Sequence, residues 1–72
     1  MKINRDICYL YLVRRGIRRG WVTAIEIAAD YGGFPLIGKI QALMDRGQMN
    51  HIKVLQTGYD RAGRRVFFVE VI

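Results

Sequence analysis

Cysteine, proline and histidine each occur once in the 72 residues, as Cys8, Pro35 and His51. A lone cysteine excludes an internal disulfide and a cysteine zinc cluster, and it fits a reducing, cytoplasmic setting. A lone histidine far from that cysteine leaves neither a metal cage nor a Cys–His nucleophile pair, so His51 reads as an ordinary strand residue. Acids are few as well, six against twelve Lys and Arg. They stand scattered at Asp6, Glu26, Asp30, Asp45, Asp60 and Glu70, with no paired carboxylates for acid–base work. GYDRAG does not precede a helix and lacks the Lys and Ser or Thr of a phosphate loop. The expectation is no catalysis, no metal, no cofactor and no small-molecule substrate.

Long apolar runs are missing too. The longest, Ile7 to Val13, falls far short of the roughly 20 residues that span a bilayer. Asn4, Arg5 and Asp6 precede it where a signal peptide would be basic without an acid, so neither a membrane nor a targeting segment is expected. No low-complexity stretch interrupts the chain, which at this length is expected to form a single domain over residues 1–72.

What is present is hydrophobic and basic: 51% of residues are hydrophobic and the formal net charge is +6. Such a balance favours polyanionic partners, and arginine, the dominant base, suits phosphates and guanine edges. The first helix is expected from Ile3 to Gly16, with Asn4 as its cap, Asp6 in its first turn, Ile3 stapled on Cys8, and Gly16 as its stop. Ile7, Leu10 and Tyr11 share one face, while Tyr9, Leu12 and Val13 spread over the other as a candidate self-association face. Arg14, Arg15, Arg18 and Arg19 then make a compact basic corner. Trp21 and Val22 form a very short extended segment, with Trp21 read as a core or domain-edge anchor ahead of a base-stacking platform.

Thr23-Ala24-Ile25-Glu26 is a capping box, flanked by a Val22–Ile27 staple. The second helix is expected over Ala24 to Tyr31, ending at Gly32-Gly33. Phe34 is expected extended before Pro35, which opens a third helix whose stripe Leu36, Ile40, Leu43 and Gly47 faces inward. Met49–Leu55 and Arg65–Ile72 read as strands around the loop TGYDRAGR. Ile52 and Val54 face inward on the first strand. Either Val66 and Phe68, or Phe67 and Val69, face inward on the second.

Several of these residues carry a resemblance to the winged helix-turn-helix domains of small prokaryotic transcription regulators. That family shows Thr-x-x-Glu-aliphatic-Ala entering its second helix and a Gly at its end, matched here by Thr23, Glu26, Ile27, Ala28 and Gly32. Its third helix carries aliphatics at relative positions 0, 4 and 7, Gly at 11 and an apolar residue at 13, matched by Leu36, Ile40, Leu43, Gly47 and Met49. The turn between Gly32 and Leu36 departs from the pattern, being about two residues shorter than in these domains.

The resemblance implies an α+β domain of three helices followed by a β-hairpin wing, with a short extended segment between helices 1 and 2. It further implies a transcription regulator that binds double-stranded DNA in the cytoplasm, associated with the nucleoid. The third helix would enter the major groove. Its outer face holds Gly38, Gln41, Ala42 and Asp45, with Lys39 and Arg46 on the flank. Gln41 suits adenine, Ala42 a thymine methyl, and Lys39 and Arg46 phosphates. The wing would bring Tyr59, Arg61, Arg64 and Arg65 to the backbone or minor groove. The alternative is a winged-helix protein–protein interaction module, a homodimer or a protein partner meeting the apolar first helix and the small face of the third. RNA binding ranks third, for want of an evident aromatic-rich exposed sheet.

Overall fold

The computed structural model describes residues 4–72. Helix α1 (Ile7–Arg14) leads through strand β1 (Arg19–Val22) into helix α2 (Ala24–Tyr31). A 3-10 turn at Phe34–Leu36 runs into helix α3 (Ile37–Asp45), and strands β2 (Ile52–Tyr59) and β3 (Arg65–Val71) close the chain as a hairpin. The sheet is antiparallel with order β1-β3-β2. This α+β arrangement of three helices and a three-stranded sheet fits a winged-helix layout broadly.

Helix α1 starts later than its cap signal suggests. Asn4 Oδ1 accepts the Asp6 amide at 2.8 Å, so Asn4 orders a turn ahead of the helix and does not cap it. The staple of Ile3 on Cys8 lies outside the described residues. The stop at Gly16 holds: with φ at +67°, Gly16 lets the Ile17 amide reach back to the Leu12 carbonyl at 2.9 Å, the Schellman arrangement. Gly47 ends α3 the same way, with the Gln48 amide on the Leu43 carbonyl at 2.9 Å.

The inward face of α1 differs from the expected one. Ile7, Cys8, Tyr11 and Leu12 are buried, whereas Leu10 is exposed. Positions i, i+1, i+4 and i+5 form the wide stripe that lets so short a helix cover the core, and Leu12 falls within it. Burial pushes the Cys8 thiol up to about 12.

Helix α2 keeps its expected bounds. The Glu26 amide donates to Thr23 Oγ1 at 3.1 Å, and the Thr23 hydroxyl donates to Glu26 Oε1 at 3.1 Å. The Glu26 carboxylate meets the cap hydroxyl here where a capping box usually offers the cap amide. Its other oxygen accepts the Tyr11 hydroxyl at 3.2 Å, tying α1 to α2. Phe34 is not extended: it opens the 3-10 turn, closed by the Leu36 amide on the Gly33 carbonyl at 3.0 Å, and Phe34 itself is 86% exposed. In α3 the buried stripe is Leu36, Ile40 and Met44, with Leu43 half-buried beside it. The stripe is centred on Ile40: Leu36 and Met44 lie about 40° to either side of it, whereas Leu43 lies about 60° away and is only half covered.

Strand β2 starts three and ends four residues later than expected, at Ile52 and Tyr59, leaving a loop of only Asp60–Arg64. Pairing of Thr57, Gly58 and Tyr59 with Phe67, Val66 and Arg65 absorbs what reads as loop in the sequence. A bulge between Val54 and Gln56 bends this edge strand. On β3, Phe67 and Val69 face inward and are fully buried, which resolves the two alternatives. Phe67, Leu12, Ile27 and Ile40 centre the core, each contributing about 1.5–3 kcal/mol by burial. His51 is not in a strand. It precedes β2 with φ at +62°, its ring 5.0 Å from that of Tyr9 and its Nε2 3.8 Å from Asp6 Oδ1. Among the described residues no helix is long and apolar enough to cross a membrane.

Candidate nucleic-acid interface

The capping box fixes where α2 begins, and α3, packed against α2, runs beside the loop end of the hairpin. One face of α3 carries Ile37 and Gln41. Together with Gly63 and Arg64 of the loop they line a shallow cleft of about 190 Å³. Helix and wing thus form one surface. Gln41 is half-buried in this cleft, less outward than a helical projection places it.

Two carboxylates hold the wing in that position. Asp45, at the end of α3, takes the Arg65 guanidinium at 2.6 Å. The same guanidinium lies over the Tyr59 and Phe67 rings, at 5.5 Å and 5.3 Å from their centroids. Arg65 is therefore a strut between hairpin and helix, and Tyr59, 70% exposed, stands over it near the loop. Asp60 closes the loop: its Oδ1 accepts the Ala62 and Arg64 amides, both at 2.9 Å, and its Oδ2 the Arg64 Nε at 2.9 Å. The Arg64 amide above all, with the Arg64 side chain, holds the Asp60 carboxyl below its ordinary range.

Arg64 and Arg65, read in the sequence as wing contacts to DNA, are ion-paired to Asp60 and Asp45. Arg61 is the wing arginine that remains exposed without an ion pair among the described residues. On α3, Lys39 and Arg46 are exposed and likewise unpaired among the described residues. They flank a shallow depression of about 270 Å³ floored by Ala42 and Leu43. Gly38 is exposed and Ala42 half-buried.

The arginines of the basic corner turn to different neighbours. Arg15 turns to α2, where it pairs with Asp30 at 3.1 Å and covers the Tyr11 ring at 4.8 Å; the hydrogen bond to Asp30 raises its already high pKa. Arg14 lies 5.7 Å from the Tyr31 ring, whereas Arg19 turns to the sheet, 5.1 Å from the Phe68 ring. Arg18 is exposed. The self-association face loses Leu12 to the core and half of Tyr9 to packing near His51, leaving Val13 with Leu10 as the exposed apolar residues of α1.

Sequence reasoning missed the wing's anchors. Asp60 had a signal, a turn-forming Asp three residues before Gly63. Asp45 had none, because its partner is twenty residues away. Of the two places read for Trp21, core or domain edge, the structure gives the edge: it is 49% exposed on edge strand β1 and packs on Phe68. Among the described residues no three of His, Cys, Asp or Glu converge as a metal set. No protein-family model, no curated protein and no solved structure matches the chain.

Proposed function

We propose that the chain is a DNA-binding transcription regulator of winged-helix type, working on duplex DNA in the cytoplasm. The observation that carries this reading is the single surface formed by α3 and the wing, held rigid by Asp45–Arg65 and Asp60–Arg64 and fringed by unpaired cations. Helix α3 enters the major groove, with Gln41 toward an adenine edge and Ala42 toward a thymine methyl. Lys39, Arg46 and Arg61 meet phosphates on either side. Arg14 and Arg18 add backbone contacts at the rim, while Arg64 and Arg65 shape the wing.

If about four to six phosphates are neutralised, log K falls against log salt with a slope of roughly −4 to −5. A binding isotherm series on a fixed duplex measures this, and Arg61→Ala lowers the slope by about 1. Arg61 serves this purpose better than Arg64 or Arg65, because changing either of those dismantles the wing as well as its charge. No retention on any duplex, or retention indifferent to salt, contradicts the proposal.

A second reading, a protein–protein interaction module, draws on Leu10 and Val13, exposed together on α1. It predicts that a Lys39→Glu, Arg61→Glu variant keeps its function and its partner, whereas the DNA reading predicts loss.

A further inference from the structure

The sheet has a second face, turned away from the helices. Antiparallel register places Arg19, Glu70 and Lys53 in one row across it, and Trp21, Phe68 and Gln56 in the next, with Val66 beyond. Trp21 is the only tryptophan of the chain. Its ring tilts at 48° against Phe68 with centroids 5.1 Å apart, and Arg19 lies over the other aromatic at 5.1 Å. Beside Trp21 a depression of about 300 Å³ opens toward Val66 and Ile25, with Glu26 and Asp60 at its rim. Nothing in the core requires an indole here, since Trp21 is half exposed while its strand neighbour Val22 fills the interior.

We infer that this outer sheet face is a stacking platform for single-stranded nucleic acid. An aromatic ring set in a strand and braced by a second ring offers a fixed flat surface, and every unpaired base has a face to lay on it. Arg19 and Lys53, one row away on the two edge strands, supply cations for the sugar–phosphate chain on either side of Glu70. A duplex cannot use the platform, because its base faces are already stacked and only groove edges and phosphates are on offer. A second copy of the chain is a poor occupant, as both copies carry a formal net charge of +6. The depression beside Trp21 meets the cleft between α3 and the wing at Thr23, Ile25 and Arg64, but Trp21, Phe68, Arg19 and Lys53 do not line that cleft, so stacking on them does not depend on duplex reading by α3.

The test uses the intrinsic fluorescence of Trp21. The full chain is titrated with an unstructured DNA strand of about 12 nucleotides, within the span of such sites, and with the RNA strand of the same sequence. Saturable quenching by either strand is expected. Trp21→Ala weakens strand binding about 5- to 100-fold, the range for one stacked base, while Trp21→Phe retains most of it. Labelled-duplex anisotropy is run on the same variants and stays unchanged, which separates this site from the α3 surface. Phe68→Leu, which keeps Trp21 but removes its brace, weakens strand binding and guards against a Trp21 variant that fails to fold. Strand binding that leaves Trp21 emission unaltered, with Trp21→Ala as tight as the parent, overturns the inference. So does emission that shifts with protein concentration alone, because the face is then covered by a second copy.

Discussion

Asp60 accepts three hydrogen bonds within five residues, two from amides and one from a guanidinium, and so closes the hairpin loop as a carboxylate. Only the ionised form accepts all three, which is why its pKa is depressed, the Arg64 amide contributing most. A depressed folded pKa gives stability that is fully present above the unfolded value, about 3.9, and is lost as pH falls through the folded value. The loop therefore stays closed at neutral and mildly acidic pH. Amide NMR shifts of Ala62 and Arg64 are expected to hold steady down to about pH 4 and to move below it. Asp60→Ala is expected to displace the same amides at neutral pH while those of Phe67 and Val69 stay put. Loop amides that titrate in step with core amides, or ignore the substitution, contradict this role.

At the scale of elements, the capping box and the Asp45–Arg65 strut divide the work of placing α2 and the wing. Thr23 is buried at the start of α2 and bonds Glu26 through both amide and side chain. Thr23→Ala costs about 1 kcal/mol, or a fall in Tm of roughly 4–8 °C for a domain of this size. Thermal unfolding measures it, and a change within error denies the cap its place. Asp45→Ala releases Arg65 and removes a negative charge from the end of α3. Duplex affinity at low salt is expected to rise and the salt slope to steepen by about 1, with base preference weakened because the wing loses its anchor. An unchanged slope means that Arg65 stays on the rings of Tyr59 and Phe67 without Asp45.

Elements were legible wherever a local rule governs them. Thr23-x-x-Glu26 and the glycines at 16, 32 and 47 act within a turn of helix, and they set the ends of all three helices to within a few residues. The strand face of β3 and the length of the wing were not legible, because pairing between β2 and β3 decides both. The site was legible as residue types and not as charge. Six acids against twelve bases show a surplus, but which arginines are spent on Asp30, Asp45 and Asp60 depends on contacts 4 to 20 residues apart. Leu12 shows the same limit in the core, since a helix apolar all round does not announce which stripe is covered.

The whole molecule presents two faces with different chemistry. One joins α3 and the wing and carries its cations at the fringe. The other is a sheet with Trp21 and Phe68 at its centre. Duplex binding belongs to the first. The most direct measurement is an amide NMR titration of the whole chain with duplex DNA, first random and then enriched for binding. Shifts concentrated at Lys39, Gln41, Ala42, Arg46 and Arg61–Gly63, sharpening on the enriched duplex, are the predicted result. Shifts confined to Leu10 and Val13 on α1, or none at all, contradict it.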